Sequence, residues 1–214
     1  MEYKLNKFKQ ILSEENQKHN LISRKSFSYE LDQHIEDSLK ILEFIQLEEE
    51  MIDIGSGAGF PGMILAIACP RTKITLVESN KKKSDFLKKV RNELALSNVK
   101  ISCERVEELG RQKEYRGQYS LCSSRAVAST NVLIEYGLPL LKVGGKLLLW
   151  KGNNYKLEID MAQNALRLIG GSLEHVWLYT LMKERDRAII AITKDLDTPE
   201  KYPRRIGIPL KRPL

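Results

Sequence analysis

With 214 residues the chain has room for one compact domain plus an appended segment, since folding at this size removes roughly 70% of the unfolded surface from water. Its 42% hydrophobic and 29% charged residues exclude a disordered chain, and the lack of a long apolar run or a charged-then-apolar leader excludes a membrane span or signal peptide, so the expected location is the cytoplasm. A formal net charge of +7 points to a polyanionic partner, because basic side chains that neutralise phosphates release counterions.

Over residues 3–19, Leu5, Phe8, Ile11 and Leu12 recur at helical spacing among lysines, glutamates and glutamines, which predicts an amphipathic helix. A polar stretch around Ser23 to Ser28 separates it from a second helix over about 29–45, where Leu31, Ile35, Leu39, Leu42 and Ile45 share a face. Residues 1–47 therefore read as a helical extension. From Met51 short apolar strands alternate with helical segments, the pattern of a mainly parallel sheet covered on both faces. Strands are expected at 50–54, 73–78, 98–103, 118–123, 145–150, 172–180 and 187–193, and helices at 61–68, 81–96, 129–140 and 155–169. The stretch from Met182 to Asp186 leaves no room for a crossover helix, so the last two strands should pair antiparallel.

The fold class is thus α/β: a seven-stranded, mainly parallel, Rossmann-like sheet over 48–195, closed by an antiparallel C-terminal hairpin. That layout resembles the class I methyltransferases that depend on S-adenosylmethionine (SAM). Residues 196–214 form a basic tail whose portion from Tyr202 holds three prolines and four basic residues, which argues against a regular helix or central strand there. Cys69, Cys103 and Cys122 are scattered with no C-x-x-C pair, so they read as core thiols and no metal site is expected.

The first strand, Met51 to Ile54, runs straight into Gly55-Ser56-Gly57-Ala58-Gly59-Phe60-Pro61-Gly62 and then a helix. Glycines let backbone approach a ligand closely, and Pro61 suits a first helical turn. The loop also fits the dinucleotide fingerprint G-x-G-x-x-G, so by itself it separates neither NAD nor SAM. Asp53 tilts the choice, because a carboxylate at the strand end repels a pyrophosphate and favours the sulfonium and ammonium charges of SAM. Glu78, at the end of the second strand roughly 20 residues beyond the loop, is placed to accept hydrogen bonds from ribose hydroxyls. After the third strand, Arg105-Val106-Glu107-Glu108 offers a backbone amide and an acid to an adenine edge.

In order, the segment from Asp53 to Gly62, Arg105-Val106-Glu107-Glu108, Ser124-Arg125-Ala126 and Lys151-Gly152 closely resemble the RsmG (glucose-inhibited division protein B) family. Asn20-Leu21, the segment from His34 to Leu39, and Tyr202-Pro203-Arg204-Arg205 extend the likeness over nearly the whole chain. The resemblance implies a SAM-dependent enzyme that methylates N7 of a guanine in the decoding-region loop of 16S ribosomal RNA. It also implies SAM contacts at Gly55 and Phe60 in the loop, at Val106 and Glu107 beside the adenine, and at Arg125. Asp53, Gly57, Gly59 and Glu78 complete the expected cofactor site from the general fold. Where many family members carry an arginine before the histidine of the second helix, this chain has Gln33.

Guanine N7 is an unprotonated ring nitrogen with a lone pair, so in-line attack on the methyl group needs no general base. Placement then supplies most of the catalysis, up to roughly 7–11 kcal/mol in favourable systems. No N-P-P-Y-like segment or Pro-Cys nucleophile follows the fourth strand; Cys122-Ser123-Ser124-Arg125-Ala126 stands there instead. Arg125 and Lys151 are the expected catalytic residues on the rim of the crevice, with Arg125 open to the SAM carboxylate, an RNA phosphate or the guanine edge. Lys151 and the tail residues Arg204, Arg205, Lys211 and Arg212 are the expected RNA contacts, since no fold reason is evident for the tail cations. Asn153 and Asn154 can hydrogen-bond a base, and Phe60, Trp150 and Tyr155 are candidate stacking partners, with burial favoured for Trp150. His34 reads as packing, and Lys81 to Lys83 with Lys88 and Lys89 as a solvated face. A monomer is expected to act on 16S rRNA, free or in a small subunit. The alternatives are a non-catalytic RNA-binding assembly factor on the same scaffold and a SAM methyltransferase with a non-RNA acceptor.

Overall fold

The computed structural model describes residues 1–19, 21, 27–47, 50–181 and 185–214. Asn20, most of the polar stretch between the first two helices, and the Met182 to Glu184 link lie outside the described residues. One sheet holds strands β1 (Glu50–Ile54), β2 (Lys73–Val77), β3 (Val99–Ser102), β4 (Tyr119–Arg125), β5 (Leu141–Lys151), β6 (Gly171–Leu181) and β7 (Arg185–Lys194). Its seven strands run in the order β3-β2-β1-β4-β5-β7-β6. The pairs among β1 to β5 are parallel, and β7 pairs antiparallel with both β5 and β6, as the short link before β7 requires.

Successive residues of each central strand point to opposite faces, and both faces are apolar. Met51, Ile74, Leu76, Leu121, Leu148 and Trp150 face one layer, and Ile52, Ile54, Val77, Cys122, Leu147 and Leu149 the other. The first layer contains α1 (Glu2–His19), α2 (Phe27–Leu39), α3 (Gly62–Ala68) and α4 (Lys81–Glu93). Phe8, Ile11, Leu12, Leu31 and Ile35 of the N-terminal helices lie in the same core as Met63, Ile64 and Leu87. The second layer holds α5 (Val106–Leu109), α6 (Thr130–Gly137), α7 (Tyr155–Met161), α8 (Gln163–Ile169) and the C-terminal segment.

Several expected elements are shaped differently. The second helix stops at Leu39 and tightens into a 3-10 turn over Lys40–Glu43, and the helix expected at 129–140 ends in a 3-10 turn over Leu138–Leu140, where Pro139 has no amide to donate. The helix expected at 155–169 is two, α7 and α8, broken at Ala162. The single turn α5 is too short to carry a periodic signal. The tail does contain one helical turn, α9 (Ile208–Lys211), because Pro209 falls in the first turn, where a missing amide costs nothing. No described helix is long and apolar enough to cross a membrane.

Candidate functional site

The parallel strands end on one edge of the sheet, and the strand order reverses between β1 and β4, where ligands of open α/β sheets bind. The loop after β1 is anchored to β2 by the amides of Gly55 and Ser56, which donate to the Val77 carbonyl at 2.9 and 3.0 Å. Glu78 then ties loop to helix: Oε2 accepts from the Gly57 amide at 2.9 Å and Oε1 from the Asn80 amide at 2.7 Å. Gly57 sits at φ +57°, and a Cβ there would meet nothing nearer than the Gly55 carbonyl at 3.8 Å, so the loop turns bare backbone to open space.

That space is a cleft of about 630 Å³, lined by Gly55, Gly57, Phe60, Glu78, Arg125 and Lys151 among others. A smaller cavity of about 100 Å³ shares Gly55, Glu78 and Val127 with it and is walled by Val106, Glu107, Tyr136 and Leu210. Of the expected cofactor residues, Gly55, Gly57, Phe60, Glu78 and Arg125 line the cleft and Val106 and Glu107 the smaller cavity, whereas two line neither. Asp53 does not line the cleft. It is fully buried beneath α3, where Oδ1 accepts a 2.5 Å hydrogen bond from Ser123, its neighbour in register on β4. Gly62 makes this possible, since a Cβ there would lie 2.6 Å from Asp53 Oδ2. Gly59 also turns away, towards Met63 and Leu87.

Arg125 leaves β4 at the cleft and reaches α2: Nη1 donates to Asp37 Oδ2 at 2.8 Å and to the His34 carbonyl at 3.3 Å. Asp37 Oδ1 accepts from the Tyr179 hydroxyl at 2.7 Å, and the Asp37 carbonyl accepts from Trp150 Nε1 at 2.7 Å. Burial pulls the Arg125 guanidinium below its usual range, while the Asp37 carboxylate opposes that shift. Asp37 falls within the His34 to Leu39 segment, and the mark it leaves in the sequence is an acid one helical turn beyond His34. Lys151 is not on a solvated loop: it is buried, with Nζ 2.6 Å from Glu158 and 3.0 Å from the Ala128 carbonyl. Burial pushes the Glu158 carboxyl up, but Lys151 and the Thr130 amide and hydroxyl outweigh it and hold the group below its usual range.

The stacking candidates separate. Phe60 is 6% exposed, its ring flanked by Phe8, His34 and the Arg125 guanidinium, so no face is left for a base. Trp150 is buried, as favoured, and Tyr155 is half-buried on the wall of a neighbouring cavity. Gln33, in place of the family arginine, is buried and offers nothing to solvent.

The tail cations are corrected in part. Arg204 has a clear fold reason: its amide, Nε and Nη2 all donate to the fully buried Glu135, the shortest at 2.6 Å. The tail backbone is held too, by Arg111 on the Pro203 carbonyl at 2.7 Å and by Arg116 on the Tyr202 carbonyl at 2.8 Å. Arg205, Lys211 and Arg212 remain exposed. Of the α4 lysines, Lys81 and Lys88 stand near Asp85 and Lys89 on Glu15, whereas Lys83 lines the cleft instead of a solvated face.

A family model described as rRNA small subunit methyltransferase G matches residues 1–189. The chain belongs to this family. It is 54% identical over 215 aligned residues to the ribosomal RNA small subunit methyltransferase G of Syntrophomonas wolfei, with 100% of both chains covered. Among solved structures, M. jannaschii TYW2 in complex with AdoMet has a TM-score of 0.59 at 14% identity, covering 77% of each chain. The T. thermophilus 16S rRNA methyltransferase RsmC, in complex with AdoMet and guanosine, has a TM-score of 0.53 at 15% identity, covering 76% of this chain and 39% of that one. These structures share the Rossmann-like class I fold. As a small subunit methyltransferase G, the chain is a SAM-dependent rRNA methyltransferase. Its residues fit that cofactor: bare backbone at Gly57 faces the cleft, Glu78 stands on the wall common to both cavities, and Val106, Tyr136 and Leu210 make the smaller one partly apolar.

Proposed function

We propose that this enzyme methylates N7 of a guanine in the decoding-region loop of 16S rRNA, acting as a monomer, by direct in-line transfer without a general base. SAM, when bound, supplies a methyl carbon carried on a positively charged sulfur. The observation that carries the reading is that the acids lining the cleft are engaged. Asp37 is held by Arg125 and Tyr179, Glu78 by two backbone amides, and Glu158 by Lys151 and Thr130. Such a site suits an acceptor that has no proton to lose, and guanine N7 is one.

What the chain does is place its ligands. The Gly55 to Gly57 backbone and Glu78 hold the nucleoside end of the cofactor, Glu78 through the lone pairs that its two amide donors leave unused. Val106 and Glu107 border the cavity for the base; Glu107 is itself fixed, with Oε1 accepting from the Tyr136 hydroxyl at 3.0 Å and the Gly207 amide at 3.1 Å. Arg125 and Lys151, each pinned by a carboxylate, present their remaining N–H donors at the rim where acceptor and cofactor meet. Donors held in place beforehand need no reorganisation as the reaction proceeds. Exposed Arg205, Lys211 and Arg212 add non-specific attraction for RNA phosphates.

The test is methyl transfer from labelled SAM to small ribosomal subunits, and to free 16S rRNA, from a strain lacking the gene. One methyl per rRNA is expected, at a guanine that becomes cleavable by borohydride and aniline, as 7-methylguanosine is. Transfer to another position, or none to either acceptor, overturns the proposal. Sedimentation of the active enzyme checks the monomer.

A further inference from the structure

Beside the cleft lies a second cavity of about 490 Å³, and the two share Gly152 and Arg187 as their common wall. Asn153, Tyr155 and Lys156 line it from the start of α7, and Tyr179 and Thr180 from β6. Gly152 keeps the boundary low: a Cβ there would lie 3.7 Å from Arg187 Nη1, in a place no other side chain occupies.

Arg187 is the anomaly. Arg125, Lys151 and Arg204 each face a carboxylate at 2.8, 2.6 and 2.6 Å. Among the described residues Arg187 makes no ion pair or hydrogen bond, and its Nε is buried without a partner. Two acids, Asp37 and Glu158, line the same cleft but are paired with Arg125 and Lys151. The Arg125 guanidinium acts on Arg187 as a like charge, and Lys156 stands on the second cavity. Asp186, the acid on this wall, accepts from the Thr180 hydroxyl at 3.3 Å. Only the Nε of Arg187 is out of water; the residue is half-buried, and its guanidinium stands between two open cavities where an anionic ligand could supply a counter-charge. Its planar fork of donors matches a phosphate in shape as well as in charge. The remaining wall suits a base, with an exposed Asn153 amide that both donates and accepts and the side of the Tyr155 ring.

We propose that this cavity seats the nucleotide next to the target guanosine, and that Arg187 binds the phosphodiester joining the two. The inference rests on the proposed function, since the ligand is the RNA that reading assigns. The same unpaired guanidinium suits one other anion, the carboxylate of the cofactor, and the test separates the two.

The full-length protein and Arg187→Gln are titrated with small ribosomal subunits from the deletion strain over a series of KCl concentrations, and separately with SAM by calorimetry. Arg187→Gln is expected to bind subunits about tenfold more weakly. The slope of log affinity against log salt should fall by about 0.7 to 1, the share of one phosphate contact. Affinity for SAM and the melting temperature should stay as in wild type, and Arg187→Lys should restore most of the slope. Asn153→Ala, at an exposed position, should weaken subunit binding a few-fold with the slope unchanged. Unchanged subunit affinity and slope in Arg187→Gln overturns the inference, and so does a loss confined to SAM binding. Wild-type methyl transfer is read in the same samples. Its absence overturns the proposed function and this inference together, whereas normal transfer with an unaltered slope in Arg187→Gln overturns this inference alone.

Discussion

Asp53 sits wholly out of solvent, and burial pushes its carboxyl from the ordinary 3.8 up to about 6, although Ser123, Ser56, Gly62 and Arg125 pull the other way. The folded chain therefore holds a proton between these values that the unfolded chain has released. The stability this contributes is complete below the unfolded pKa and is lost as pH rises through about 6. Asparagine mimics the protonated acid at every pH. The stability of Asp53→Asn relative to wild type should thus rise by about 2 kcal/mol between about pH 4 and pH 7, measured by urea unfolding. A difference that stays flat with pH would mean that the carboxyl is not held protonated. Gly57 behaves oppositely, because its missing side chain faces open cleft and the nearest protein atom, the Gly55 carbonyl oxygen at 3.8 Å, would not be crowded. Gly57→Val should abolish detectable SAM binding in calorimetry. The left-handed backbone, φ +57°, should cost about 1–2 kcal/mol of stability and leave the fold intact. Retained affinity would place the cofactor elsewhere. The cradle at Gly57 is readable in the sequence because a glycine run after a strand has a local conformational meaning. The direction of Asp53 is not, because it depends on how closely α3 packs, through Gly62, against β1 and β4.

At the scale of elements, one residue joins α2 to three strands. Asp37 receives Arg125 from β4 and Tyr179 from β6, while its carbonyl receives Trp150 from β5. Its side chain is 5% exposed and that of Arg125 12%, so neither charge can turn to bulk water when the other is removed. Asp37→Ala should destabilise the protein by about 3–5 kcal/mol, the range for breaking one side of a buried pair. Arg125→Met added to it should cost much less than it does alone, with a coupling of at least about 1 kcal/mol in a double-mutant cycle. Strict additivity would show that the two groups do not sense each other. Arg125→Ala should accordingly lower stability as well as turnover, so its kinetics must be read on protein shown to be folded. Element types in this region follow from the sequence, since α2 and β4 to β7 have clear periods. Their lateral order and the meeting of α2 with the cleft do not, because 88 residues separate Asp37 from Arg125 and no local pattern encodes a distance through space.

For the molecule as a whole, the basic tail divides into a packed part and an exposed part. Arg204 closes over Glu135, which is fully buried in α6, whereas Lys211 and Arg212 project into solvent. Arg204→Ala leaves a buried carboxylate uncompensated and should lose about 3 kcal/mol of stability. Its salt dependence of RNA binding should be near that of wild type. Lys211→Ala with Arg212→Ala should do the reverse, leaving the melting temperature unchanged and reducing the slope of log affinity against log salt by about 1 to 2. Equal slopes in the two variants would remove the tail from the RNA interface.

By itself the sequence determined the alternation of strand and helix, the antiparallel closing hairpin and the glycine-lined bend at the first strand. Each rests on hydrophobic period, link length or the allowed φ of single residues, which are properties of neighbours along the chain. Only the tertiary structure decided which charges are spoken for: Arg125 by Asp37, Lys151 by Glu158 and Arg204 by Glu135, with Arg187 left unpaired among the described residues between two cavities. A cation in a sequence looks the same whether its counter-charge is a buried carboxylate brought close by folding or a phosphate that arrives with the substrate. Electrostatic pairing is set by a few ångströms in three dimensions, and those distances exist only once the sheet has ordered its strands and the helices have packed against it.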